Sequence, residues 1–173
     1  MNISTSKPSF RKESASRFVT DSTDLKILAS LQTDASLTNH AMAALVHTSP
    51  ATCLRRVKRL EDVGIIERRV AILSPERLGH GITAIVEVTL DRQSAEALAV
   101  FEAHAVAEET VRQCHRVSPG PDFVLTIQLA DMAAYHALVQ RLFTADANVR
   151  NVKSYFSVHR AKFETRIALP GAS

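Results

Sequence analysis

The apolar residues of this chain change their period near Gly81, and no single uniform layer of structure can satisfy both halves. Between Asp21 and Gly64 they recur at helical spacing, and from Ile82 onward they alternate. Two small modules are therefore expected. A chain of 173 residues with 46% hydrophobic content can furnish two modest cores.

In the first module Leu25, Leu28 and Leu31, flanked by Ile27, predict a helix over 21–32 behind the cap candidates Asp21 and Ser22. A two-turn helix fits Asn39 to His47, with Thr38 as cap and Met42, Leu45 and Val46 on its buried side. The third is the best punctuated. Ser49 is an N-cap, Pro50 suits the first helical position, and Gly64 ends the segment. Cys53, Val57 and Leu60 mark its buried face. Residues 65–73 read as a short extended segment that completes a domain spanning 21–73, and residues 74–80 as a linker.

Beyond the linker, Ile82, Ala84, Val86, Val88 and Leu90 alternate with more polar neighbours, the signature of a strand with one face on a core. A helix carrying Leu98, Phe101 and Ala105 follows, then a strand over Val111–Ser118 and a break at Pro119-Gly120-Pro121. Phe123, Leu125, Ile127 and Leu129 form a third strand, Met132 to Phe143 a helix, and Val149 to Val158 a last strand. The order β-α-β-β-α-β over residues 81–165 is that of a ferredoxin-like sheet with both helices on one face. Its open face favours pairing with a second subunit. The fold class is thus α+β, with residues 166–173 as a C-terminal tail.

Charge locates a binding surface. Between Ser49 and Leu60 there are four basic residues and no acidic one, whereas a solvated helix ordinarily mixes signs. Three short helices with a cationic last one suit a helix-turn-helix, whose final helix lies in the major groove of DNA. The free amides of its first turn, with Ser49, Pro50 and Thr52 at that end, face a phosphate, and Arg55, Arg56 and Arg59 supply reach to phosphates or guanine edges. Residues 1–20 carry Lys7, Arg11, Lys12 and Arg17 against Glu13, which accounts for the whole net charge of +3. This stretch reads as a disordered basic extension.

Other chemistries find little support. Cys53 and Cys114 stand alone, and the seven histidines show neither HxxxH nor HExxH spacing, so no metal and no cofactor are expected. No stretch approaches the roughly 20 apolar residues of a membrane span, and the N-terminus lacks the apolar run of a signal peptide, which points to a cytoplasmic protein.

The run Ser49-Pro-Ala-Thr-Cys-Leu-Arg-Arg-Val-Lys-Arg-Leu-Glu-Asp-Val-Gly64-Ile-Ile closely resembles the leucine-responsive regulator (Lrp/AsnC, feast/famine) family, whose pattern is SPxxCLxRVxRLExxGII. Asp24-Leu-Lys-Ile-Leu, Leu73-Ser-Pro-Glu-Arg-Leu-Gly79, Asp122-Phe-Val-Leu and Asp131-Met-Ala-Ala-Tyr135 extend the resemblance over residues 21–165. It implies a winged helix-turn-helix joined to a βαββαβ ligand-sensing domain, double-stranded DNA and an amino-acid effector as partners, and a homodimer that can build an octamer. It further implies an effector loop containing Ser118, Gly120 and Asp122. Two positions depart from the pattern. His47 stands where the family often has glycine before the third helix, and Pro119 takes the place of the loop glycine, with Gly120 one position on.

The resulting expectation is a non-enzymatic, DNA-binding transcriptional regulator. Two alternatives stay open at this level. Sirohaem decarboxylase subunits resemble the same two-domain plan, and His104, Arg112, His115 and Arg116 could serve a carboxylated tetrapyrrole. The acid-free third helix and the absence of a concentrated His and Arg cluster weigh against it. A chromatin-organising DNA binder would differ only in lacking an effector response.

Overall fold

The computed structural model describes residues 20–170, so the basic N-terminal extension lies outside the described residues. The chain divides into two units: residues up to Ala71 together with those from Glu164 onward, and residues Ile72–Phe163.

The first unit contains α1 (Ser22–Thr33), α2 (Asn39–Leu45) and α3 (Pro50–Asp62). Each begins on a side-chain cap drawn from the residue just outside it: Asp21, Thr38 and Ser49 accept hydrogen bonds from Asp24, Ala41 and Thr52 respectively. The helices end locally too. After α2, His47 adopts φ +54, and Thr48 N–H donates to the Ala43 carbonyl at 2.9 Å. After α3, Gly64 adopts φ +75 and Ile65 N–H donates to the Leu60 carbonyl at 3.0 Å. Both are left-handed helix stops, one on glycine and one, at a modest steric cost, on histidine. Ile27, Leu28, Met42, Ala43, Val46, Cys53, Val57 and Leu60 form the core.

Residues 65–73, expected as an extended segment, run on without a strand ladder. Among the described residues no strand lies beside this segment to form a ladder with it, and pattern alone cannot supply one. The C-terminal segment also differs from a plain tail. Leu169 packs against the helical core, and the Gln32 side chain brackets Ile167, donating to its carbonyl at 3.2 Å and accepting from its N–H at 2.7 Å.

The second unit is built on β1 (Ile82–Leu90), β2 (Val111–Arg116), β3 (Phe123–Leu129) and β4 (Val149–Phe156), in the sheet order β2-β3-β1-β4 with every pairing antiparallel. Helices α4 (Ala95–Ala107) and α5 (Met132–Leu138) provide the crossovers, and α5 runs into a π-helical turn over Val139–Thr144 that periodicity does not reveal. Ala84, Val86, Val88 and Leu90 of β1 and Phe123, Leu125, Ile127 and Leu129 of β3 are buried beneath Phe101, Ala105, Leu138, Leu142 and Phe143. Phe101 and Phe123 meet with ring centroids 4.9 Å apart. The intervening residues of β1 and β3 face away from this core, as the alternation requires.

No helix among the described residues is long and apolar enough to cross a membrane. Because Phe101 and Phe123 are fully buried and touch, Phe101→Ala should cost about 3–5 kcal/mol of stability through lost burial and a residual cavity. Chemical denaturation with far-UV circular dichroism checks this; a loss under about 1 kcal/mol would mean that the helix layer closes over the gap.

Candidate nucleic-acid interface and effector loop

Helix α3 owes its position to the turn before it and to one buried carboxylate. The Asn39 side-chain amide donates to the Pro50 carbonyl at 2.8 Å, fastening α2 to the first turn of α3. Ser49 Oγ accepts from Thr52 N–H at 3.2 Å and donates to Thr52 Oγ1 at 2.9 Å, so both hydroxyls are engaged in the cap yet remain at the surface. Pro50, at the first position, leaves the end of the helix with one fewer competing amide.

The arginines divide by face. Arg55 is exposed on the side opposite Cys53, Val57 and Leu60, and Lys58 is exposed beside it. Arg56 turns inward: its Nη1 donates to Asp24 Oδ1 at 2.9 Å and to Asp21 Oδ2 at 2.6 Å. Arg59 Nη2 donates to Asp24 Oδ2 at 2.5 Å, with half of its side chain still exposed. Of the residues expected to meet DNA, Ser49, Thr52 and Arg55 thus share an accessible surface with Lys58, one of the four basic residues of the helix but not among those expected to contact DNA. Arg56 is committed to α1, and Arg59 stands between the two uses.

Asp24 is fully buried, the only buried charged residue among those described. Besides the arginines, it accepts from Asp21 N–H at 3.3 Å while its own N–H donates to Asp21 Oδ1 at 2.9 Å, a reciprocal capping box. The Asp24 N–H, followed by the Arg56 guanidinium, holds the Asp21 carboxyl below its ordinary value of 3.8, and the hydrogen bonds to the Asp21 and then the Asp24 carboxylate raise the Arg56 pKa.

Ser118, Gly120 and Asp122, expected to form an effector loop, lie between β2 and β3. Val117 N–H donates to the Asp122 carbonyl at 3.1 Å, closing a loop in which Ser118, Pro119 and Gly120 are exposed and Gly120 takes φ +119. That backbone angle is open to glycine and rarely to other residues, so Gly120 supplies the conformation that Pro119 cannot. Asp122 has a structural task as well. Its N–H donates to the Val88 carbonyl at 2.9 Å, and its Oδ2 accepts from Leu90 N–H at 2.7 Å, extending the β1–β3 ladder by one rung beyond the Val88–Phe123 pair. The other carboxylate oxygen accepts no hydrogen bond among the described residues. A concavity of about 420 Å³ elsewhere in this unit, lined by residues including Val100, His104, Glu108, Arg141 and Leu142, contains none of the loop residues. Within it Arg141 is already paired with Glu108 at 2.9 Å.

Two measurements follow from these contacts. Asp122→Ala should cost about 1–3 kcal/mol, because it strands the Leu90 N–H in a half-buried position; denaturant titration reads the loss, and an unchanged midpoint would show that water takes over the rung. The lowered Asp21 pKa means that its stabilising contribution is complete above the ordinary carboxylate range and is lost as pH falls through the depressed value. Thermal melts between pH 5 and pH 2 should therefore fall less steeply for Asp21→Asn than for the natural chain, and parallel curves would contradict the assignment.

With this geometry in place, comparison with known proteins is direct. The AsnC-type helix-turn-helix domain model matches residues 21–61, and the Lrp/AsnC ligand binding domain model matches residues 83–167. The chain is 38% identical over 149 residues to an uncharacterized HTH-type transcriptional regulator of Haemophilus influenzae, covering 86% of this chain and 89% of that one. It is 36% identical over 142 residues to the leucine-responsive regulatory protein of the same organism, covering 82% and 86% respectively. The structure of a Neisseria meningitidis transcriptional regulator in complex with L-methionine superposes with a TM-score of 0.82 at 33% identity, over 88% of this chain and 98% of that one. An AsnC family regulator from Agrobacterium tumefaciens gives 0.81 at 32% identity, over 86% and 97%. Both domains match models of one family and the relatives are matched over most of their length, so the chain belongs to the Lrp/AsnC family of transcriptional regulators with a DNA-binding helix-turn-helix.

Proposed function

We propose that this chain is a non-enzymatic regulator that reads duplex DNA with the face of α3 bearing Ser49, Thr52, Arg55 and Lys58, and whose DNA binding or assembly responds to an amino acid. The observation that carries the DNA-reading face is the position of Arg55 and Lys58, exposed on the side of α3 that its packing leaves open. An α-helix presents this face to the major groove while the hydroxyl-bearing N-terminal turn approaches a phosphate. Arg55→Ala should weaken binding to a duplex from the protein's own promoter about tenfold and lower the salt slope by about one, leaving the melting curve unchanged. Fluorescence anisotropy over a salt series decides it. Equal affinity and slope would move the interface to another surface.

The amino-acid reading rests on the ligand-binding-domain match and on the L-methionine complex of the Neisseria regulator. In this chain the loop offers exposed Ser118 and Gly120 beside the spare oxygen of Asp122, donors and an acid that complement a zwitterion. A loop this exposed encloses a small molecule only when another surface covers it, which links sensing to assembly. The open sheet face suits such assembly: exposed Ile85 and Tyr155 are register partners across β1 and β4, and Glu87 pairs in register with Lys153. A specific amino acid should raise the melting free energy by about 2.7 kcal/mol at a hundredfold excess over its Kd. A thermal-shift screen over the amino acids, repeated with Asp122→Asn, tests this. Stabilisation that persists undiminished in the variant would place the ligand away from the loop.

A further inference from the structure

Arg56 is one of four cations on the helix that meets DNA, yet it is spent on α1. Its guanidinium reaches both Asp21 and Asp24, about 100° round the helix from Arg55. The arrangement is incompletely satisfied. Arg56 Nε is buried and finds no hydrogen-bond acceptor among the described residues, so the side chain is held by the two carboxylates rather than by a full set of bonds. Asp21 is half exposed, at the mouth of this pair, while Asp24 is sealed.

A long cation at the rim of a DNA-binding helix has an alternative partner, the phosphate backbone, which takes any cation in reach irrespective of sequence. Withdrawing one such cation lowers affinity for every duplex equally, and so raises the share of binding that depends on base contacts. Asp24 also fixes the helix itself. Bonds to both Arg56 and Arg59, one turn apart, set the rotation of α3 about its axis as well as its distance from α1.

We propose that Asp21 and Asp24 are positioning residues for DNA recognition, sequestering Arg56 against α1 so that sequence-independent phosphate binding is held down and the groove meets Ser49, Thr52, Arg55 and Lys58. This rests on the α3 face being the interface. Asp21→Asn is the decisive variant, because asparagine caps a helix as well as aspartate does but cannot hold a cation by charge.

The experiment measures anisotropy of the full-length protein on its own promoter duplex and on a mixed-sequence duplex of equal length, over a salt series. Asp21→Asn should bind the mixed-sequence duplex about three- to tenfold more tightly at low salt, with a salt slope steeper by about 0.9, and should discriminate less between the two duplexes. Removing any acid near DNA raises affinity somewhat, so the cycle is completed with Arg56→Gln and the double variant. Arg56→Gln alone should leave the promoter salt slope unchanged, and in that background Asp21→Asn should lose its gain. A gain that survives in the Arg56→Gln background is general electrostatics and overturns the proposal, as does an Asp21→Asn protein with unaltered affinity and slope. Asp24→Asn should show the same gain where it folds; if it does not fold, the Asp21 cycle decides alone. Arg55→Ala, measured alongside, separates the two levels: no loss in that variant condemns the α3 face itself, whereas a loss there with no Asp21 effect condemns only the sequestration.

Discussion

The helical unit depends on a carboxylate that water never reaches. Asp24 sits in the first turn of α1 and is fully buried, which is tolerable only because donors converge on it: the Asp21 N–H, Arg56 and Arg59. Burying an unpaired carboxylate would cost several kcal/mol, and it is the convergence of these donors that offsets this. The consequence travels outward. Because α1 and α3 are joined through this charge rather than through apolar contact alone, the orientation of α3 is specified by bond directions, and the basic face left outside is defined with it.

The βαββαβ unit solves a comparable problem with a different carboxylate. The β1–β3 ladder ends at Val88 and Phe123, and the next backbone donor, Leu90 N–H, is taken by the Asp122 side chain. Near the same place β1 changes register against β4 between Thr89 and Leu90. A side chain standing in for a backbone carbonyl keeps the strand end paired where the regular ladder stops. Asp122 is then fixed in direction, and the loop before it, from Ser118 to Gly120, is hung from a rigid point. A loop anchored in this way can be exposed and still present its groups in one geometry.

The residues proposed to carry function are accordingly those the packing has left over. On α3, Arg55 and Lys58 lie away from the core and from Asp24. In the loop from Ser118 to Asp122, one oxygen of Asp122 remains after the ladder has taken the other. In both places a residue type suggested a binding role, and the division of labour between neighbours followed from which groups the fold had already consumed.

What was legible in the chain itself was whatever is decided within a few residues. The caps Asp21, Thr38 and Ser49, the glycine stop at Gly64 and the left-handed His47 are local matters of hydrogen bonds and φ, and the alternation of β1 and β3 needs only a two-residue period. The βαββαβ order, and with it the sheet, follows from those elements in sequence. The structure decided what lies far apart along the chain. Arg56 meets Asp24 across 32 positions, Asp122 meets Leu90 across 32, and Ile167 meets Gln32 across 135. No spacing rule reaches so far, because a charged or amide side chain has several partners of equal chemistry, and only the closure of the tertiary fold selects which one comes within hydrogen-bond distance.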